Sequence, residues 1–235
     1  MSPAFPGIDG DDVANGRVLL LHGLVRSSGS LAKLERAIAA KGFETLNFTY
    51  PSRRFPLEQL ADIVFQSAAG FIERNDGPLH IVTHSMGGLV ARALIAQHRP
   101  ACLGRVVMLG PPNQGSEIAD LLDGTRLYRW AFGPAGAQLT TRRNAHPSPV
   151  DFALGVIAAD RPFDPLSWLI IPGPNDGKVA VARTRIDGMA DHVTLHATHT
   201  LMVRNKAVIR ETIHFLRHGC FVSGSILSTH RRQAE

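Results

Sequence analysis

The sequence has few of the residues that build metal sites, disulfide frameworks or membrane spans. It contains 2 cysteines among 235 residues, and Cys102 and Cys220 stand far apart, so they form neither a CxxC motif nor a disulfide framework. No apolar run approaches the roughly 20 residues that cross a membrane. The segment after Met1 lacks the basic and apolar regions of a secretory signal, so we expect a cytoplasmic protein.

Signals for nucleotides and nucleic acids are also missing. Neither G-x-x-x-x-G-K-[ST] nor G-x-G-x-x-G occurs, so we expect no nucleotide cofactor. The net charge is +5, from 25 Lys and Arg against 20 Asp and Glu, but these basic residues are scattered, so we predict no nucleic-acid partner. The positive charge leaves a weak peripheral contact with a membrane open. The sequence indicates no oligomeric state.

Composition and periodicity indicate one globular α/β domain. The chain is 44% hydrophobic and 19% charged, which is typical of a folded protein of this length. Apolar runs predict strands at 17–22, 43–50, 79–83, 105–109, 152–158 and 192–197. Helical spacing predicts helices after Ser30, after Pro56, at 86–98 and at 204–218. This alternation predicts an α/β fold with a doubly wound, mostly parallel sheet and helices on both faces.

The domain organisation follows from where the alternation holds and where it breaks. We predict a flexible lead-in at 1–16, one domain at 17–221 and a C-terminal tail at 222–235. Residues 111–152 interrupt the rhythm with glycines, prolines and aromatics, which predicts a short cap insertion. Its apolar residues could cover a substrate groove or form an ordinary packed helix: Leu121, Leu122, Leu127, Tyr128, Trp130 and Phe132.

The segment Thr83-His-Ser-Met-Gly-Gly88 lies directly between a predicted strand and a predicted helix. A serine on such a tight turn is lifted clear of the backbone, provided that its neighbours are small. The full motif is G-x-S-x-G, and Thr83 stands here in place of the first glycine. We therefore predict Ser85 as a nucleophile. The alternative is that Ser85 only caps the helix.

A serine nucleophile needs a base, and in a fold of this kind the acid and then the histidine follow it in the chain. His199 lies in a turn between a predicted strand and the last helix, at the sheet edge where ligands bind. We predict His199 as the base, with His196 as its closest rival. The candidate acids downstream of the serine are Asp160, Asp164, Asp176, Asp187 and Asp191.

Three of the histidines are also spaced like metal ligands. His192, His196 and His199 are separated by four and three positions, which would place them on one face of a helix. The residues between them favour a strand, in which the three side chains would not converge. We therefore expect no catalytic metal.

With these motifs the chain resembles the lipase and esterase branch of the α/β-hydrolase superfamily, and in particular small bacterial proteins similar to GPI-inositol deacylases. The resemblance runs from about Arg17 to Phe221. Its landmarks are His22-Gly23-Leu24, the Ser85 turn, Gly110 to Ser116, Asn175 to Val179 and His199 to Met202. It implies an α/β-hydrolase fold with a cap.

The resemblance also implies roles for single residues. Asp176, in an Asn-Asp-Gly turn that is otherwise ordinary turn chemistry, would be the acid that orients the histidine. The main-chain amide of Leu24 would help to bind the oxyanion. Met86 follows the nucleophile and opens a helix whose N-terminus favours anions, so its amide is the expected second donor.

Together these features predict a serine hydrolase that cleaves carboxylic esters through an acyl-enzyme. The substrate would be a small-molecule or lipid ester. The same residues could serve a thioesterase, an amidase or an acyltransferase, because a fold does not determine a substrate. A catalytically silent binding protein with this fold is a further alternative.

Overall fold

The computed structural model describes residues 16–163 and 165–222. Its strands are β1 (Arg17–Leu21), β2 (Glu44–Asn47), β3 (Leu79–His84), β4 (Leu103–Leu109), β5 (Leu154–Ala159) and β6 (Asp191–Leu195). Its α-helices are α1 (Ala32–Ala39), α2 (Leu57–Ile72), α3 (Gly87–Gln97), α4 (Glu117–Asp123), α5 (Arg126–Ala137), α6 (Pro165–Ile170) and α7 (Lys206–His218). Short 3₁₀ helices lie at Ser28–Ser30, Val181–Thr184 and Met202–Arg204.

The strands form one sheet in the order β2-β1-β3-β4-β5-β6, and every neighbouring pair is parallel. The chain first winds outward from β1 to β2 and then in the opposite direction from β3 to β6. This winding confirms the predicted doubly wound sheet. The direction reverses between β1 and β3, and in such sheets the crevice at the carboxyl ends of these strands is where ligands bind.

Alternate residues of the inner strands face two separate hydrophobic cores. In β1, Leu19 and Leu21 belong to a core shared with α2 and α3, whereas Val18 and Leu20 belong to a core shared with α1 and α7. Side chains of a strand point alternately to the two faces of its sheet. Helices therefore cover both faces, as the uninterrupted apolar sequence of β1 predicts.

The predicted boundaries differ most at the second strand. Residues 43–50 were expected to form a strand, but β2 covers only Glu44–Asn47. Tyr50 lies beyond it, and its ring stacks on that of His22 with centroids 4.1 Å apart. Because β2 is an edge strand, its end is free to leave the ladder and contact the loop that follows β1.

The segment 111–152 contains α4 and α5, which pack against each other. The predicted lead-in and tail lie outside the described residues, except for Gly16 and Val222, and so does Asp164. Among the helices of the described residues, none combines the length and apolar character needed to cross a membrane.

Candidate active site

Ser85 occupies a strained turn between β3 and α3. Its φ is 56°, in the left-handed region that residues other than glycine seldom adopt. The turn is held because the Ser85 amide donates to the carbonyl of Leu109, at 2.8 Å. A Cβ atom at Gly87 would lie 2.4 Å from the Leu21 carbonyl oxygen. Glycine at this position therefore lets α3 start directly against the end of β1.

Thr83 stands where the motif usually has its first glycine, and it is fully buried in β3. A Cβ atom at Gly88 would come 3.4 Å from the Thr83 hydroxyl oxygen. The same atom would lie only 3.1 Å from Met108 Sδ and from Pro111 Cβ, so the first turn of α3 packs closely against β4 and the residues that follow it.

The structure brings Ser85, His199 and Asp176 together. Along the chain, 114 positions separate Ser85 from His199, and 23 separate Asp176 from His199. His199 Nδ1 lies 2.6 Å from Asp176 Oδ2, and His199 Nε2 lies 2.9 Å from Ser85 Oγ. A carboxylate oxygen accepts, so Nδ1 carries the hydrogen of the neutral ring. Nε2 is then the acceptor, and the Ser85 hydroxyl donates to it.

Asp176 is held by its own turn. Its Oδ1 accepts from the amides of Lys178 and Val179, at 2.9 and 2.8 Å. An antiparallel bridge between Asn175 and Ala180 closes the turn. With Oδ1 occupied by two amides, Oδ2 is directed at His199. The Asn-Asp-Gly turn chemistry and the contact with the histidine are thus two properties of one element.

Gly110, directly after β4, provides the space for the acid and the ring. A Cβ atom there would lie 3.1 Å from Asp176 Oδ2 and 3.3 Å from His199 Nδ1. Its φ of 55° also favours glycine. The Asp176 and His199 side chains are 1% and 8% exposed, so their hydrogen bond is shielded from water.

The other candidate acids have different partners. Asp160 pairs with His196 at the surface, with Oδ1 to Nδ1 at 2.8 Å. Asp191 accepts from the amides of His192 and Phe221. Asp164 lies outside the described residues. The remaining candidate, Asp187, accepts from the Val150 amide through its main-chain carbonyl.

The three histidines with metal-like spacing also diverge. His192 contacts the Thr184 hydroxyl at 2.9 Å, His196 contacts Asp160, and His199 faces Ser85. Within residues 16–163 and 165–222, no group of three or more His, Cys, Asp or Glu side chains is arranged to hold a metal ion.

The amides of Leu24 and Met86 lie on the two segments that meet at Ser85. Leu24 follows β1, and Met86 directly precedes α3. A Cβ atom at Gly23 would lie 3.1 Å from the Ser85 Cβ, so the loop after β1 touches the serine. Neither amide has an acceptor within the described part of the chain. Two unpaired amides beside one hydroxyl can stabilise negative charge that develops there.

The loop after β1 is anchored by contacts that sequence reasoning missed. Val25 has a φ of 56°, which is rare for a β-branched residue, and its amide donates to the Ser52 hydroxyl at 3.1 Å. His22 Nε2 accepts from the Tyr50 amide at 3.2 Å. No local sequence signal connects residues 22–25 with 50–52, because their contact exists only after β2 has paired with β1.

His84 supports His199 from behind. Its Nε2 lies 2.9 Å from the main-chain oxygen of His199, and since a carbonyl only accepts, Nε2 is the donor. Its Nδ1 has no partner in the described residues. Burial lowers the pKa of His84 to about 3, with a smaller contribution from His199, so the ring is neutral at pH 7. The sequence identified His84 only as a neighbour of the nucleophile.

A cavity of about 340 Å³ opens over Ser85 and His199. One wall is apolar and comes mostly from the insertion: Ile118, Ala119, Leu122, Tyr128, Phe132 and Leu139. Three of the predicted cap residues line this wall. The other three are exposed instead, with 60% of Leu121, 72% of Leu127 and 79% of Trp130 accessible.

Solved structures with this fold include several hydrolases. Mature lipase BlEst2 of Bacillus licheniformis matches with a TM-score of 0.72 and 18% identity, covering 92% of this chain and 96% of its own. A metagenomic carboxyl esterase matches at 0.68 and 19%, covering 80% and 66%. The type II thioesterase BorB from the borrelidin biosynthetic cluster matches at 0.53 and 17%, covering 93% and 95%. At such identities these likenesses establish the fold.

Sequence comparison identifies the family. No curated protein sequence matches significantly. A sequence profile described as the alpha/beta hydrolase family matches residues 18–211, which is most of the chain. This match confirms the resemblance to the α/β-hydrolase superfamily that the Ser85 turn and the other landmarks indicated. The chain belongs to the alpha/beta hydrolase family.

Proposed function

We propose that the protein is a serine hydrolase of carboxylic esters, with Ser85 as nucleophile, His199 as base and Asp176 as orienting acid. The observation that carries the proposal is the continuous hydrogen-bond chain from Asp176 Oδ2 through His199 to Ser85 Oγ. A hydroxyl is a weak nucleophile until an adjacent base can take its proton. The contacts of His199 with Ser85 Oγ and with Asp176 Oδ2 support these roles.

In the acylation half of the reaction, Ser85 Oγ attacks the ester carbonyl carbon while its proton moves to His199 Nε2. The carbonyl oxygen becomes an oxyanion, which the amides of Leu24 and Met86 bind. When the tetrahedral intermediate collapses, the bond to the alcohol oxygen breaks, and Nε2 gives its proton to that oxygen. The alcohol leaves, and Ser85 carries the acyl group.

Deacylation repeats these steps with water. His199 Nε2 takes a proton from a water molecule as its oxygen attacks the acyl carbon. The bond to Ser85 Oγ then breaks, and the proton on Nε2 returns to Oγ. The sum is one ester and one water converted to one carboxylic acid and one alcohol. By analogy with measured oxyanion donors, each amide contributes about 3 kcal/mol to lowering the barrier.

The cavity supports an acyl substrate. Its apolar wall on α4 and α5 lies beside Ser85, where a hydrocarbon chain bound to the acyl carbon would be removed from water. The structurally similar lipase and carboxyl esterase, which share the fold over most of this chain, agree with an ester substrate.

A thioester is the second candidate substrate. The same nucleophile and base would attack a thioester carbonyl, and the leaving group would be a thiol instead of an alcohol. The likeness to a type II thioesterase over almost the whole of both chains favours this possibility. Parallel assays with an ester and a thioester of the same acyl group distinguish the two.

Replacing the nucleophile tests the proposal. We expect Ser85→Ala to lower kcat for p-nitrophenyl butyrate by at least about 10⁴-fold, because attack at the carbonyl carbon is lost. The matched control is Ser67→Ala, which removes an exposed hydroxyl from α2 and should leave kcat unchanged. Far-UV circular dichroism of both variants checks the fold. Full activity of a folded Ser85→Ala protein would refute the proposal.

A further inference from the structure

A second cleft adjoins the cavity over Ser85. We name it the arginine cleft; its volume is about 230 Å³, and its lining includes Arg26, Ser30, His84, Thr200, Leu201 and Arg204. Arg26 and His84 also line the Ser85 cavity. The two spaces therefore border on the same two side chains.

The arginine cleft carries positive charge without a compensating carboxylate. Its charged lining residues are Arg26 and Arg204, and His84 is neutral because burial lowers its pKa to about 3. Lys33 adds a third cation nearby, since its Nζ donates to the Arg204 carbonyl at 2.9 Å. None of these three cations is within ion-pair distance of a carboxylate in the described part of the chain.

Arg26 is already directed at the cleft. One of its guanidinium nitrogens, Nη2, donates to the Thr200 hydroxyl at 3.2 Å, which joins the loop after β1 to the segment after His199. A guanidinium has five N–H donors, so further donors remain for a ligand. Two arginines on opposite segments of a small cleft match the several acceptor oxygens of a phosphate group.

Residues that line the arginine cleft adjoin His199 in sequence and in space. In the proposed reaction His199 Nε2 hands its proton to the leaving oxygen, so the leaving group must pass beside His199. Thr200 and Leu201, which line the cleft, directly follow His199, and His84 donates to the His199 carbonyl. The apolar wall of the Ser85 cavity, in contrast, comes from α4 and α5 and suits the acyl chain.

We propose that the arginine cleft binds a phosphate group on the leaving-group side of the substrate. The inference rests on the proposed function and specifies it further: the preferred substrates are acyl esters or thioesters whose leaving group carries a phosphate. Such a phosphate has two common sources, a glycerol phosphate or a phosphate-bearing thiol. Clefts lined by charge of one sign also concentrate oppositely charged substrates, an effect that salt weakens.

Matched substrates test this preference. The ester pair is 1-butyrylglycerol and its 3-phosphate, and the thioester pair is S-butyryl-pantetheine and S-butyryl-4′-phosphopantetheine. We expect kcat/KM of the wild type to be at least about tenfold higher for the phosphate-bearing member of one pair or both, since hydrogen bonds to charged groups discriminate by about that factor. A preference within one pair identifies the source of the phosphate.

Variants locate the effect. The double variant Arg26→Gln/Arg204→Gln should reduce the ratio of phosphate-bearing to neutral kcat/KM to about 1. The control Arg143→Gln removes the same charge from an exposed residue outside the three clefts that border His84 or His199, and it should keep the wild-type ratio. Equal kcat/KM within both pairs would overturn the inference, and so would a preference that survives the double variant.

A binding measurement separates this inference from the proposed function. Calorimetric titration with glycerol 3-phosphate and with 4′-phosphopantetheine needs no turnover. We expect at least one of the two to bind the wild type, with a Kd raised about tenfold or more in the double variant. Neutral esters cleaved without any phosphate preference would leave the proposed function intact and defeat this inference. A wild type that cleaves no ester but binds these phosphate compounds through Arg26 would refute the proposed function and leave the phosphate site intact.

Discussion

At the scale of single residues, the proposed chemistry depends on which nitrogen of His199 carries the hydrogen. Asp176 Oδ2 lies 2.6 Å from Nδ1, and the other carboxylate oxygen is occupied by two main-chain amides. The carboxylate therefore holds the ring in the tautomer whose Nε2 can accept from Ser85. In the proposed reaction the same contact would stabilise the imidazolium that forms when the serine proton is transferred.

Asp176→Asn should keep the turn and disrupt this tautomer. The amide oxygen can still accept from Lys178 and Val179, but the amide nitrogen would face Nδ1 and donate to it. Nε2 would then carry the hydrogen, so we expect kcat for p-nitrophenyl butyrate to fall by about 10³- to 10⁴-fold. The control Asp160→Asn alters a surface pair with His196 and should change kcat less than twofold. A kcat of Asp176→Asn close to that of the wild type would exclude Asp176 as the orienting acid.

His84 is a positioning residue in this account, because it acts on the main chain of His199. His84→Leu removes the hydrogen bond to the His199 carbonyl, and we expect kcat to fall about tenfold, which corresponds to one net hydrogen bond. His84→Gln retains an N–H donor at similar reach and should recover most of this loss. If both variants lost the same activity, volume rather than the hydrogen bond would explain the effect.

At the scale of elements, the site depends on how closely α3 approaches β1. The helix starts at Gly87. A Cβ atom at this position would lie 2.4 Å from the Leu21 carbonyl oxygen, so only glycine allows this close approach. Since Ser85 sits on the strained turn into this helix, any shift of α3 moves the hydroxyl. The turn and the helix–strand contact are therefore one structural unit.

Gly87→Ala should destabilise the protein and lower activity together. The added Cβ meets main-chain atoms, which cannot rotate away, so we expect the free energy of unfolding to fall by about 3 kcal/mol. Gly70→Ala is the matched control in α2, where a Cβ atom meets nothing within 4 Å. Alanine has the higher helix propensity, so this control should stabilise the protein by about 0.5–1 kcal/mol. Urea unfolding measures both changes. A Gly87→Ala protein as stable as the wild type would contradict this expectation.

The sequence predicted the elements that rely on local pattern. The apolar run of β1 and the helical spacing after Pro56 predicted elements that the structure contains, with differences of a few residues at their ends. The winding of the sheet followed from their alternation. The edge strand β2 was predicted too long, because its end leaves the sheet to contact the loop after β1, and this contact is not encoded in residues 43–50 alone.

In the candidate site, too, the features that depend on local sequence were predictable, and the contacts between distant residues were not. The motif around Ser85 is contiguous, so its turn was predictable, and the position of His199 at the end of a strand followed from the topology. The hydrogen bond from Val25 to Ser52 and that from His84 to the His199 carbonyl were not predictable. Each joins residues from different loops whose separation is determined only by the packed sheet.

At the scale of the whole molecule, the two cores bury histidines that cannot easily accept a proton. His80 is fully buried, and burial, with the nearby charge of Arg105, lowers its pKa to about 4. The pKa of His84 is lowered to about 3, again mostly by burial. In the unfolded chain both pKa values return to about 6.5. Between pH 7 and pH 5 the unfolded chain therefore binds protons that the folded protein does not.

Stability should accordingly fall with decreasing pH. The unfolded state binds more protons throughout this window, so the free energy of unfolding decreases as pH is lowered. We expect His80 and His84 together to account for a loss of about 4 kcal/mol between pH 7 and pH 5. The variant His80→Asn can still accept from the Arg105 amide without titrating, and it should lose about half of this pH dependence. Urea unfolding at pH 7 and at pH 5 measures the free energy of unfolding of both proteins. A wild type that is more stable at pH 5 than at pH 7 would contradict this expectation.

The distribution of charge over the molecule bears on its substrates. Arg26, Arg204 and Lys178 line the clefts around Ser85, and the carboxylate among these lining residues, Asp176, is engaged with His199. The rim is therefore positive, while the wall formed by the insertion is apolar. This combination suits a substrate with a hydrocarbon acyl chain and an anionic leaving group.

The most direct test of the central claim is covalent labelling with a fluorophosphonate, followed by mass spectrometry of the peptides. If Ser85 is activated by His199, its oxygen displaces fluoride from phosphorus, and one label per chain is found on the peptide that contains Ser85. His199→Ala should abolish that label while the fold is retained. A folded wild-type protein that stays unlabelled, or is labelled at a different serine, would contradict the account.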